Sequence, residues 1–216
     1  MTVKAIIFDM DGVLVDTENY YLKRREDFFA SQGISLAGFP HSFFIGGKMQ
    51  DVWDKILGDA YSPEEKAKIL SAYDKHKKGN VLPYTELLFP DVRDILEFLK
   101  NKGIRMALAS STAMSDIEHN LKVNELAGYF ELLRSGSDLK HSKPDPEIYL
   151  ITLEALGLAK DEVIVIEDSE KGIASAKAAG LECWAIKDDR FGMNQEAADQ
   201  IFPSLTAVKE KLAEML

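Results

Sequence analysis

One cysteine, seven prolines, four histidines and an excess of acid over base set the first limits on this 216-residue chain. A lone thiol, Cys183, excludes an intrachain disulfide. It sits in the apolar run Leu181-Glu182-Cys183-Trp184-Ala185-Ile186, where a free cysteine reads as a buried strand residue. No apolar stretch reaches the ~18–20 residues that crossing a bilayer requires, so no membrane partner is expected. Residues 1–10 do not read as a signal peptide, because their short apolar stretch runs into Asp9 and Asp11. The expected location is cytoplasmic. Positive charge is scarce: 26 Lys and Arg stand against 36 Asp and Glu, for a net charge of −10. That balance argues against nucleic acid as a partner. The basic cluster Lys75-His76-Lys77-Lys78 closes a helical pattern, where lysines complement the negative end of the helix dipole. The histidines His41, His76, His119 and His141 show no ligand spacing and read as surface residues.

What is present is an ordinary core-forming composition, 46% apolar and 29% charged, long enough for one sizeable α/β domain with a smaller insert. Residues 3–8 form an almost unbroken apolar, β-branched run ending in Asp9, as expected of a strand buried on both faces of a parallel sheet. Similar runs cover 104–109, 130–133, 163–166, 183–186 and 200–202. Helical patterns fall between them at 91–101, 147–156 and 169–179, each followed closely by Gly103, Gly157 or Gly180. Leu205, Val208, Leu212 and Met215 mark a last amphipathic helix. This alternation predicts a doubly wound parallel sheet. It breaks between residues 17 and 84, where three helical patterns follow one another. The first spans 18–31. The second carries Met49, Val52, Trp53, Ile56 and Leu57 on one stripe. The third opens with the capping box Ser62-Pro63-Glu64-Glu65. The predicted organisation is an α/β core of residues 1–15 and 85–216, interrupted by a helical cap at 16–84, in a monomer.

Ligands of a parallel α/β sheet bind outside the carboxyl ends of its strands. The first strand delivers Asp9 and Asp11 there, the second Ser110 and Ser111, and the fourth Glu167 and Asp168, with Lys143 in a preceding loop. Four carboxylates in one crevice repel one another. A hard divalent cation such as Mg²⁺, which takes oxygen ligands, relieves that repulsion. Together with Lys143 it makes the crevice attractive to phosphate.

These motifs resemble those of the haloacid dehalogenase-like hydrolase superfamily. The first is Asp9-Met10-Asp11-Gly12-Val13-Leu14-Val15-Asp16-Thr17-Glu18, and the second ends at Ser110. The third is Lys143 in Ser142-Lys143-Pro144-Asp145-Pro146, and the fourth is Glu167-Asp168-Ser169. Within the family, the chain resembles the branch of β-phosphoglucomutases and small-metabolite phosphatases, which carry a helical cap. The resemblance implies that Asp9 attacks phosphorus to form an aspartyl-phosphate. It implies that Asp11 protonates the leaving oxygen and then activates water. Mg²⁺ is implied at Asp9, the Asp11 carbonyl and Asp168, with Glu167 as ligand or support. Ser110 and Lys143 are implied to hold phosphate oxygens, and Gly12 to let the chain turn beside the nucleophile.

The mutases of the family carry a cap histidine where this chain has Tyr21, a cap arginine where Gly46-Gly47 is followed by Lys48, Met49 and Gln50, and a polar residue where Met114 stands. The expected activity is therefore a phosphatase acting on a small phosphorylated metabolite, with Lys48 and Tyr21 as cap contacts to it. A phosphomutase is the alternative, and a non-catalytic phosphometabolite-binding protein is a third class. Five neighbours have simpler expectations. Asp16 or Thr17 caps the first cap helix, Ser169 caps the helix after the fourth strand, and Asp145 makes a turn. Ser111 either contacts phosphate or satisfies its loop.

Overall fold

A computed structural model of the protein describes residues 3–48 and 50–216. Six parallel strands form one sheet: β1 (Ala5–Phe8), β2 (Arg105–Ser110), β3 (Leu132–Ser135), β4 (Val163–Glu167), β5 (Glu182–Ile186) and β6 (Gln200–Phe202). Their order is β3-β2-β1-β4-β5-β6. The chain therefore winds outward from β1 in one direction and then in the other. The point of reversal lies between β1 and β4, where a doubly wound sheet opens a crevice at its carboxyl edge.

Helices α1 (Glu18–Ser31), α2 (Gln50–Leu57), α3 (Pro63–Gly79) and the single turn α4 (Tyr84–Leu87) precede β2 together with α5 (Val92–Asn101). Four more follow: α6 (Met114–Val123), α7 (Glu147–Leu156), α8 (Glu170–Ala178) and α9 (Leu205–Met215). The two-residue period of β1 separates two cores. Ile6 and Phe8 join Leu108, Ile166 and Trp184 beneath α5, α6 and α9. Ala5 and Ile7 join Ala107, Val165 and Cys183 beneath α7 and α8. Cys183 is fully buried, as its apolar run predicted. Helices α1 to α3 pack on a separate aromatic cluster of Phe28, Phe29, Trp53 and Tyr73, with ring centroids 5.2 Å apart for Phe29–Trp53 and 5.6 Å for Trp53–Tyr73. The Ser62 capping box is formed. Met49, assigned to the stripe of the second helix, lies outside the described residues.

The six strands and the three helical patterns between residues 17 and 84 follow the sequence pattern, with three differences, the first being the single turn α4, which the pattern does not show. β3 begins at Leu132 rather than at 130, because residues 127–129 form a 3₁₀ turn that the chain leaves only at Phe130, whose ring packs edge-on against Phe8. Helix α6 has no counterpart in the sequence expectation. Its buried apolar residues, Ile117 and Leu121, are too few to make a period visible without the sheet they rest on. Among the described residues, no helix is long and apolar enough to cross a membrane.

Candidate active site

The carboxyl ends of β1, β2 and β4 bring Asp9, Ser110, Glu167 and Asp168 together, all buried. Backbone pairing fixes the first of them: the Asp9 amide donates to the Ile166 carbonyl at 2.9 Å, continuing the β1–β4 ladder. Lys143 enters from the loop before α7. Its ammonium donates to Asp9 Oδ1 and Glu167 Oε1, each at 2.7 Å, and to the Ala109 carbonyl at 3.1 Å. The lysine is thus a bridge between two strand ends.

Glu167 is fully engaged. Oε1 also accepts from the Tyr149 hydroxyl at 2.6 Å, while Oε2 accepts from the amides of Asp168 and Ser169 and from the Ser169 hydroxyl. Its carboxyl is held below the usual range: burial pushes it up, but the Lys143 charge and these donors outweigh burial. Asp168 is different. Its Oδ2 is buried and has no hydrogen-bond partner among the described residues. Its carboxyl is pushed well up by burial and then by Glu167 and Asp9. Asp9 is raised as well, by burial first, with Lys143 opposing and Glu167 and Asp11 adding.

Ligand atoms of Asp9, Glu167 and Asp168 all lie within 4.8 Å of one another. Three carboxylates against one ammonium leave a formal charge of −2 in a buried cluster. The donors are oxygen only, and one of them is orphaned. That is the donor chemistry of a hard divalent cation. Gly12 keeps the approach open. It has φ +79°, and a Cβ there would fall 1.9 Å from Asp168 Oδ2.

Asp11 occupies other surroundings. Its carboxylate accepts from Thr17 Oγ1 and Thr112 Oγ1, both at 2.6 Å, and from Ser110 Oγ at 3.4 Å. The Thr17 contact corrects the cap expectation. Thr17 holds the N-cap position of α1, but its hydroxyl serves Asp11 instead of the helix. Asp16 does not cap either; it pairs with Arg190 at 2.9 Å. Ser169 does cap α8, accepting from the Gly172 amide, and Asp145 accepts from the Glu147 amide in a turn.

Above these groups is a cavity of about 230 Å³, lined by Asp9, Asp11, Ser110 and Asp168 from the core and by Glu18, Tyr21 and Arg25 from α1. The loop after Phe43 closes one side. Ser111 donates to the Gly46 carbonyl at 3.0 Å, and Lys48 donates to the Leu139 carbonyl at 2.7 Å. Ser111 therefore ties the insert to the core, and Lys48 is anchored to backbone although it borders the cavity. Gly46 is required here: at φ +76°, a Cβ would meet Ser169 Oγ at 2.5 Å. The Tyr21 ring is partly buried, beside Thr112 and Tyr84.

Six residues escaped the sequence reading: Glu18, Arg25, Thr112, Tyr149 and Gln195, together with Thr17 in its true role. Arg25 follows Glu18 by seven residues, two helical turns, so the pair was visible in principle. Gln195 carried no signal. Its amide donates to the Asp168 and Ile186 carbonyls and fixes the motif-four loop.

A family model described as haloacid dehalogenase-like hydrolase matches residues 6–186. The chain belongs to the haloacid dehalogenase-like hydrolases. It is 37% identical over 182 residues to the phosphorylated carbohydrates phosphatase of Thermotoga maritima, covering 83% of each chain. It is 31% identical over 223 residues to protein CbbY of Rhodobacter capsulatus, covering 96% of each. The β-phosphoglucomutase structure from Clostridium difficile superposes with a TM-score of 0.82 over 99% of each chain at 22% identity, which establishes the shared fold. Among haloacid dehalogenase-like hydrolases, then, this chain is similar in sequence to a phosphatase of phosphorylated carbohydrates and shares its fold with a phosphoglucomutase.

Glu18 shows that the site carries an energetic penalty. Burial, opposed by Arg25, raises its carboxyl to about 7. The folded protein therefore holds this proton more tightly than the unfolded chain. The resulting stability is complete below about pH 4.5 and is lost as pH rises through about 7. Glu18→Gln is expected to stabilise the metal-free protein by up to about 3 kcal/mol near pH 8. At low pH it should have little effect. Urea unfolding at both pH values checks the sign.

Proposed function

We propose that this haloacid dehalogenase-like hydrolase is a Mg²⁺-dependent phosphatase of small phosphorylated carbohydrates, acting in the cytoplasm through an aspartyl-phosphate on Asp9. One observation carries the reading. Asp9 and Asp11 are two residues apart, yet one carboxylate lies in the Lys143–carboxylate cluster and the other among hydroxyls at the cavity wall. Two acids in different surroundings can take different roles.

Asp9 and Asp168, with the Asp11 carbonyl, would hold the cation, and Glu167 supports Lys143 and the loop. When bound, Mg²⁺ supplies charge neutralisation at the transferring phosphoryl group. The Asp9 carboxylate attacks phosphorus while Asp11 gives a proton to the departing oxygen. Asp11 then takes a proton from the water that cleaves the acyl phosphate. Thr17, Thr112 and Ser110 can serve both forms of Asp11, because a hydroxyl rotates between donating and accepting. Ser110 and Lys143 meet phosphate oxygens. Residues 16–84 act as the cap, and the Gly46–Gly47 loop excludes water over the crevice.

Thr112→Val removes one of the two short contacts to Asp11. It is expected to lower kcat roughly tenfold or more, with a smaller change in KM, in steady-state assays on a sugar phosphate. The reading as a whole is tested by a screen of sugar and acid phosphates with Mg²⁺. The screen includes β-glucose 1-phosphate with a bisphosphate primer. Release of inorganic phosphate supports the phosphatase, whereas isomerised sugar phosphate without net release supports the phosphomutase alternative.

A further inference from the structure

Helix α1 places an acid and a base on one face, two turns apart, and both are buried: Glu18 is 5% exposed and Arg25 is 6% exposed. They do not satisfy each other. Their closest approach, Arg25 Nη2 to Glu18 Oε2, is 4.0 Å, beyond hydrogen-bond reach. Glu18 Oε2 and Arg25 Nε have no hydrogen-bond partner among the described residues. The guanidinium instead lies 5.0 Å over the ring of Phe44. Buried charges left incompletely satisfied are strongly disfavoured unless something completes them. Both side chains line the cavity that holds Asp9 and Asp11, and the phosphoryl-transfer chemistry assigned above uses neither.

The chemistry of the missing partner follows from the signs. A second phosphate or carboxylate drawn to Arg25 would meet the Glu18 carboxylate, and an ammonium drawn to Glu18 would meet Arg25. The other cations at this wall already have contacts. Lys48 donates to the Leu139 carbonyl, Lys77 pairs with Asp74 at 2.8 Å, and Arg24 donates through Nη1 to the Asn80 carbonyl at 3.3 Å and lies 5.0 Å over the Tyr21 ring, although its Nε has no partner among the described residues. A neutral hydroxyl pair suits both groups, because one hydroxyl can donate to the carboxylate while its neighbour accepts from the guanidinium.

We propose that Glu18 and Arg25 bind two hydroxyls of the leaving group, so that the preferred substrate is the monophosphate of an uncharged sugar or polyol rather than a bisphosphate or a phosphorylated acid. This assignment rests on the phosphatase reading. It makes the pair a specificity element separate from the phosphate-binding residues.

The test compares kcat/KM for a hexose 6-phosphate with that for an aryl phosphate, which lacks hydroxyls to bind. The enzymes are wild type, Glu18→Met, Arg25→Met and the milder Glu18→Gln, all measured with Mg²⁺. Each Met variant is expected to lower the hexose-to-aryl ratio by about 10–100-fold, and Glu18→Gln by less. In wild type, the hexose monophosphate should be preferred to the bisphosphate of the same hexose. A parallel loss on both substrates, an unchanged ratio in Glu18→Gln together with either Met variant, or a preference for the bisphosphate overturns the assignment while leaving the phosphatase intact. If wild type turns over neither substrate, the phosphatase reading fails and this assignment falls with it.

Discussion

Asp9→Asn is expected to lower turnover of any phosphate monoester by at least about 10⁴-fold while leaving the protein folded and no less stable. Loss of an essential nucleophile has effects of this order, because the remaining groups cannot substitute for it. The structural half of the prediction comes from the cluster around it. Asp9 is one of three buried carboxylates facing one ammonium. Its carboxyl is pushed well up, chiefly by burial, so the ionised form is held in place at a stability penalty. An amide of the same shape relieves that penalty and leaves Lys143 its 2.7 Å bond to Glu167. Matched melting curves and phosphate-release assays separate the two halves. Retained activity would move the nucleophile elsewhere, and a collapsed fold would show that the Asp9–Lys143 bridge is structural.

Removal of Mg²⁺ by a chelator is expected to lower activity by at least about 10³-fold, since charge neutralisation of this kind supplies several kcal/mol to the transition state. A second readout does not depend on activity. Added Mg²⁺ should raise the melting temperature of wild type, because a ligand that binds only the folded state stabilises it. Asp168→Asn should be more stable than wild type without metal, since it removes a buried carboxylate whose Oδ2 lacks a partner among the described residues. It should also gain little from added Mg²⁺. A wild-type protein indifferent to Mg²⁺ in both measurements would contradict the metal reading.

Much of this was legible in the chain because the two periods of a parallel α/β protein are hard to counterfeit. Residues 3–8, 104–109 and 163–166 are short, largely apolar runs set between helical patterns, as buried strands are, and each is followed by a polar residue that the sheet carries to the same edge. Asp9, Ser110 and Glu167 could be placed together on that ground alone. Lys143 could be assigned to the crevice, but its bridging of Asp9 and Glu167 depends on where its loop folds back. Helix α6 was illegible because Ile117 and Leu121 alone do not make a pattern. The partners of Asp11 were illegible for a different reason. Thr17 carries a strong local preference for capping, and a bond to the carboxylate six residues before it overrode that preference. The division of labour between Glu167 and Asp168 also needed coordinates. One is saturated with donors and the other has an oxygen with no partner among the described residues, and adjacent positions in a sequence do not reveal that difference.

The claim that joins these observations is a covalent bond between Asp9 and the phosphoryl group. Acid quench of a single turnover with Mg²⁺ and a sugar phosphate, followed by reduction with labelled borohydride, converts an aspartyl-phosphate to labelled homoserine. Peptide sequencing then locates the label. The account predicts it at position 9, absent in Asp9→Asn. Full turnover with no label at position 9, or with label at position 11, would contradict it.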